Sequence, residues 1–140
     1  MKKLIGCTIW VVICLSGCSS FQQIQQSRSG VRLKVKSACD TIIVPPSFVK
    51  VDSQEMIKTD RGTFKMIFET NDSCDVGPSL IYTFLNENGW EPTRPGSFYY
   101  FRENHVVSVS CSVPVSRKGP NTLSITCAWD EYGDNVRDLY

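Results

Sequence analysis

Apolar and polar positions divide the chain into three parts. Leu4 to Leu15 is almost wholly apolar, diluted only by Gly6 and Thr8. Ser19 to Gly30 (SSFQQIQQSRSG) is rich in Gln and Ser and has little to bury, which predicts a flexible tether. From Val31 on, short patterned segments follow one another. Val31 to Lys36 (VRLKVK) alternates apolar with basic residues, the period of a half-buried strand. Thr41 to Val44 is a second short β-prone run, closed by Pro45-Pro46 because proline cannot donate a ladder hydrogen bond. Val49 to Asp60 is polar and reads as a short strand followed by a loop.

The pattern strengthens towards the C-terminus. In Gly62 to Thr70, Phe64, Met66 and Phe68 fall on one face, and Thr63, Lys65, Ile67 and Glu69 on the other. Asn71-Asp72-Ser73 is turn-like. From Pro78, Leu80, Ile81, Phe84 and Leu85 recur at helical spacing until Asn88-Gly89 supplies a stop, and Trp90 beyond it is placed to pack back. Ser97 to Arg102 is an aromatic strand, and Glu103-Asn104 a tight turn. His105 to Val115 then places Val107, Val109, Cys111 and Val113 on one face. After the turn-rich Arg117 to Asn121, Leu123, Ile125, Cys127 and Trp129 repeat the alternation. The expected fold is α+β: a small, mostly antiparallel sheet of four to six strands with one packed helix, stabilised by disulfides.

The first part of the chain carries an address. Met1-Lys2-Lys3 followed by 12 mostly apolar residues is the layout of a signal peptide. A bilayer-spanning helix needs about 20 apolar residues. The run ends in Leu15-Ser16-Gly17-Cys18, which resembles the lipobox of bacterial lipoproteins: an aliphatic residue, two small ones and a cysteine. The resemblance implies cleavage before Cys18 and acylation of that residue. It divides the chain into a signal peptide (1–17), an acylated N-terminus with its tether (18–30) and a single domain (31–140). Ser19, where an aspartate would favour the inner membrane, implies the outer membrane of a Gram-negative cell, on its periplasmic face or at the surface. Several acyl chains, each contributing about 0.8 kcal/mol per buried methylene, give a durable anchor. The strand, helix and aromatic hairpin beyond also resemble small uncharacterised envelope lipoproteins, a likeness that implies no activity.

Composition narrows the partners. The segment before Cys18 holds two of the 15 basic residues, leaving 13 Lys and Arg against 14 Asp and Glu. That balance argues against a nucleic-acid binder. Arg28, Arg32, Lys34 and Lys36 gather near the anchor, where they read as a solvated strand face or a patch for anionic headgroups. Cys7 and Cys14 leave with the signal. Cys39, Cys74, Cys111 and Cys127 read as two disulfides, since an exported domain meets an oxidising compartment. Their gaps of 35, 37 and 16 residues do not suit zinc, which favours close cysteine pairs. With the hairpin centred on Gly119, Cys111 lies opposite Cys127, which favours a Cys111–Cys127 bridge and leaves Cys39–Cys74. In the alternative, each hairpin cysteine reaches one of the earlier two.

No motif of catalysis, metal binding or cofactor binding stands out. His105, the single histidine, falls beside a tight turn with no local acid or nucleophile, and Asp130-Glu131 opens a polar tail. The candidate contact residues are aromatic: if only one sheet face is covered, Tyr99 and Phe101 lie exposed beside Trp90. They can equally pack against a loop or an edge. The leading expectation is a non-enzymatic binding or accessory module, anchored to the membrane by lipid and partnered by another envelope protein. An inhibitor or immunity protein acting against a toxin or lysozyme is the alternative. An envelope hydrolase built from distant carboxylates is a third reading.

Overall fold

A computed structural model describes residues 4–116 and 118–131, with side chains from Ser20 onward. Met1 to Lys3, the Cys18 side chain, Arg117 of the hairpin turn and the tail beyond Glu131 lie outside the described residues. The architecture is α+β, with two helices and a six-stranded antiparallel sheet. Helix α1 spans Leu4–Asp40, followed by β1 (Val49–Ile57), β2 (Arg61–Thr70), α2 (Val76–Glu87), β3 (Glu91–Pro92), β4 (Tyr99–Arg102), β5 (His105–Ser112) and β6 (Asn121–Asp130). The strands lie in the order β1-β2-β6-β5-β4-β3, so the last long strand enters between β2 and β5.

The N-terminal region departs most from expectation. The stretch expected to be a tether is helical, and Val31 to Lys36 forms a helix instead of a strand. The alternation VRLKVK contains Val31 and Val35, which satisfy the i, i+4 spacing of a helix as well as the i, i+2 spacing of a strand. Ala38 and Cys39 continue that helical stripe; all four are buried, while Leu33, which a strand would bury with them, is 71% exposed. Arg32, Lys34 and Lys36 face solvent around the stripe. Lys34 lays its ammonium over the Trp129 ring, 4.2 Å from the centroid. The helix ends where Thr41 Oγ1 donates to the Ala38 carbonyl at 2.7 Å. Thr41 to Val44, expected as a strand, is a turn residue followed by irregular chain.

Both helices cover one face of the sheet. Phe64, Met66 and Phe68 of β2 meet Cys127, Ile125 and Leu123 of β6 across the ladder, and Val107 and Val109 of β5 complete the layer. Val31, Val35 and Cys39 of α1 and Ile81 and Leu85 of α2 close over them in one core. The other face carries Thr63, Lys65 and Ile67, then Thr122, Ser124 and Thr126, then Ser108, Ser110 and Ser112, with no described helix above it. Alternation along each strand separates the two faces.

Helix α2 stops in a Schellman motif. Gly89 takes φ +77°, Trp90 N–H reaches the Leu85 carbonyl at 2.9 Å and Gly89 N–H that of Asn86 at 3.4 Å. At the other end of α2, Gly77 is required for space, because a Cβ there would run into the Phe48 ring. The β4–β5 turn has Glu103 at φ +53°, the first of two loop residues and the position of a type II′ hairpin turn that favours glycine.

The disulfides are Cys39–Cys127 and Cys74–Cys111, with Cα separations of 5.7 and 5.4 Å. The expected Cys111–Cys127 and Cys39–Cys74 pairing is therefore corrected. The cause is register: the hairpin centres on Arg117, two residues before Gly119, so Cys111 pairs with Leu123 and Val107 with Cys127. The shift moves partners by an even number of residues, so the apolar faces stay as expected while the cysteines separate. Each hairpin cysteine instead reaches up to a covering helix. Cys127 joins the last turn of α1, and Cys111 joins Cys74, just before α2.

Candidate functional site: a cleft beside the outer disulfide

The two disulfides have different surroundings. Cys39 and Cys127 are wholly buried, whereas Cys74 and Cys111 are half-buried and line a cleft of about 590 Å³. The cleft exists because neighbouring strands differ in length. The β4 ladder pairs Tyr99 with Ser108 and ends there, while β5 runs on to Ser112. α2 lies across the gap and supplies Pro78, Ser79 and Tyr82; Phe98 and Tyr99 form the facing wall, and Val109 to Cys111 the floor.

Tyr82 fixes the width of this gap. Its hydroxyl donates to the Val109 carbonyl at 3.2 Å, and its ring stacks on Tyr100 with centroids 5.3 Å apart. Burial, and then the neighbouring Tyr100, raise the Tyr82 pKa above the usual phenol value, which keeps it a neutral donor. Val109 N–H reaches the Phe98 carbonyl at 3.3 Å, so both backbone groups of Val109 face the β4 side. By strand alternation the N–H and C=O of Cys111 face the same way, beyond the end of β4 and into the cleft. The site thus offers apolar and aromatic walls, a strand edge with hydrogen-bonding capacity, and one carboxylate at its lip, Asp75. Those are the requirements for holding an extended polypeptide segment, whose backbone can pair with an edge while a side chain fills the pocket.

The aromatic residues expected from sequence do not form one patch. Trp90 is 2% exposed: the Schellman turn folds it back under the Arg102 guanidinium, 4.7 Å from the ring, with the His105 ring at 6.5 Å. It is a core residue, which corrects its assignment as a contact. Tyr99 reaches the cleft, and Phe101 lies half-buried on the open sheet face beside Val106. Phe98, inside the strand expected over Ser97 to Arg102, is 64% exposed because β4 begins only at Tyr99 and leaves it ahead of the ladder. Pro78 and Tyr82 share one face of α2 at i, i+4 spacing, a signal that is legible in the sequence.

His105 lies apart from this cleft. Its Nε2 is 3.3 Å from the Lys34 carbonyl, and burial, its dominant influence, pulls its pKa below the ordinary value. Among the described residues, no group of three His, Cys, Asp or Glu side chains is placed to hold a metal ion, and no helix is long and apolar enough to cross a membrane. The Cys18 side chain lies outside the described residues. Fold and cleft together define a two-layer α+β domain with a peptide-sized groove at its outer disulfide. Compared with protein-family models, curated proteins and solved structures, the chain matches none.

Proposed function

We propose that the chain is an envelope lipoprotein, held to the outer membrane through an acylated Cys18, whose domain is a non-enzymatic module that binds another envelope protein. The observation that carries the binding role is the cleft. It joins exposed Phe98 and the Tyr82 wall to the outward-facing backbone of Cys111. The anchor is supported by the lipobox-like Leu15-Ser16-Gly17-Cys18 directly behind an apolar run. Two disulfides in a chain of this size suit an oxidising compartment. The partner contributes an extended segment with an apolar side chain to fill the pocket.

The two halves of the proposal are tested separately. Labelled palmitate should enter the wild-type chain and not Cys18→Ala; uptake by both, or by neither, removes the anchor. A photo-crosslinking residue at position 98 should capture one defined envelope protein in cells, and the same residue at Thr126 on the open sheet face should not. Equal capture at both positions, or none at 98, removes the cleft as the binding site.

A further inference from the structure

Strand β1 forms one edge of the sheet, and eight of its nine residues are exposed. At the closing end of its hairpin, Lys58 N–H bonds the Arg61 carbonyl. Inward-facing backbone groups therefore fall on Met56, Gln54 and Asp52, and those of Ser53, Glu55 and Ile57 face outward along the edge. Such a row is a template for another strand, and proteins normally blunt it. Here one outward donor is covered locally: the Asp52 Oδ1 accepts the Ser53 N–H at 2.7 Å.

The chemistry along this edge is self-complementary once the irregularity between Lys50 and Asp52 is counted. Val51 is skipped by the ladder, so Lys50 and Glu55 both sit on the helix-covered face, opposite Phe68 and Phe64, while Val49 and Met56 both sit on the open face. An antiparallel copy turned about Ser53 then sets each Val49 opposite a Met56 and each Lys50, which in its own chain stands 5.6 Å over the Phe64 ring, opposite a Glu55 that Arg32 of α1 already engages from one side. Asp52 falls opposite Gln54. Without the bulge, Lys50 and Glu55 would lie on opposite faces and never meet. Opposite charges and apolar pairs directly across an antiparallel ladder are both stabilising. Val49 and Met56 are 63% and 61% exposed in the single chain, leaving apolar surface for such pairs to remove from water.

We infer that β1 is an interface for a second copy of this chain, joining two sheets edge to edge about a two-fold axis at Ser53. The contact is isologous, so it closes on a dimer and leaves no further β1 edge free. The Asp52 carboxylate must swing off the Ser53 N–H for the strands to meet, which makes Asp52 a brake on association.

Oxidative trapping of the purified full chain in non-ionic detergent tests the register directly. Ser53→Cys places two thiols face to face at disulfide distance and should give a covalent dimer. Val49→Cys alone, far from its own symmetry mate, should stay monomeric. Mapping Cys39–Cys127 and Cys74–Cys111 in each variant confirms that the native bridges are intact. In the Ser53→Cys background, Lys50→Glu puts like charges opposite each other and should cut the dimer yield about tenfold. With Arg32→Ala present in every variant of this series, which removes the partner Glu55 has in its own chain, adding Glu55→Lys should restore it, and Asp52→Ala should raise it. The inference is overturned if Ser53→Cys traps no more dimer than Val49→Cys, whether the edge is covered by residues 132–140 of the same chain or by nothing. Failure of the double charge exchange to restore the yield overturns it equally.

Discussion

Strands β1 and β2 are paired along almost their whole length, yet only one of them belongs to the core. β2 buries Phe64, Met66, Phe68 and Thr70 in strict alternation, whereas β1 buries no residue and only Ile57 is half-covered. Hydrogen bonding to a neighbour is common to both and therefore cannot be the cause. β2 has a second neighbour, β6, and lies beneath α1; β1 has one neighbour and meets α1 through an Arg32–Glu55 ion pair and, at its end, through Ile57 beside Val31 and Val35. A strand gains burial from what lies above it, and each fully buried large apolar side chain contributes about 1.5–3 kcal/mol. β1 is retained by its ladder, its turn and the Arg32–Glu55 pair, and its exposed apolar side chains Val49 and Met56 stay in solvent.

That contrast can be broken most directly by truncation. Phe68→Ala should cost about 3–5 kcal/mol in denaturant unfolding, from lost transfer energy and the cavity left behind. Val49→Ala, across the sheet edge from the core, should change stability by less than about 0.5 kcal/mol. Comparable losses at both positions would remove the distinction between the strands.

The cover over β2 is the next target. Replacing Cys39 and Cys127 with alanine frees α1 from β6 and should cost about 2–5 kcal/mol, since the bridge spans a sequence separation of 88. The equivalent change at Cys74 and Cys111 spans 37 residues and should cost less by roughly 0.5–1 kcal/mol. Because this second bridge is half-buried, it should also be the first reduced when dithiothreitol is titrated in and thiols are mapped by alkylation. Earlier reduction of Cys39–Cys127 would mean that α1 lifts from the sheet more readily than the packing indicates.

Protonation gives a smaller effect on the same covered face. His105 has its pKa lowered, chiefly by burial, so the unfolded chain binds a proton more readily than the folded one. The stabilising contribution is present above about pH 6.5 and is lost as pH falls through the folded-state value. Unfolding free energy should therefore decline from pH 7.5 to pH 5, and His105→Gln should flatten that part of the profile. An unchanged slope in the variant would place its origin elsewhere.

The smallest effect belongs to the exposed side of the comparison. Arg32 and Glu55 meet at 2.6 and 2.9 Å in a paired geometry, but their side chains are 58% and 38% exposed. A double-mutant cycle with Arg32→Ala and Glu55→Ala should give a coupling of about 0.2–1 kcal/mol, reduced by salt. Coupling above about 2 kcal/mol would show that α1 holds β1 as firmly as it covers β2.

The sequence by itself determined the elements whose signals agree at every level. Gly62 to Thr70, the helix ending at Asn88-Gly89 and the alternating β5 and β6 appear where their periods place them, and the four cysteines do form two bridges. The proposed address rests on Leu15 to Cys18, a signal of sequence that needs no fold. Tertiary structure decided the rest, for identifiable reasons. Val31 and Val35 satisfy both helical and strand periods, and the choice was made by the sheet face that α1 had to cover. Hairpin register is set by a loop with two prolines between β5 and β6, and a shift of two residues in its centre changed both disulfide partners without changing a face. Two-residue β3 is too short to carry a period, and Trp90 was buried by the turn that follows α2. The cleft is the product of a length difference between β4 and β5, and such a gap exists only once strands are laid side by side.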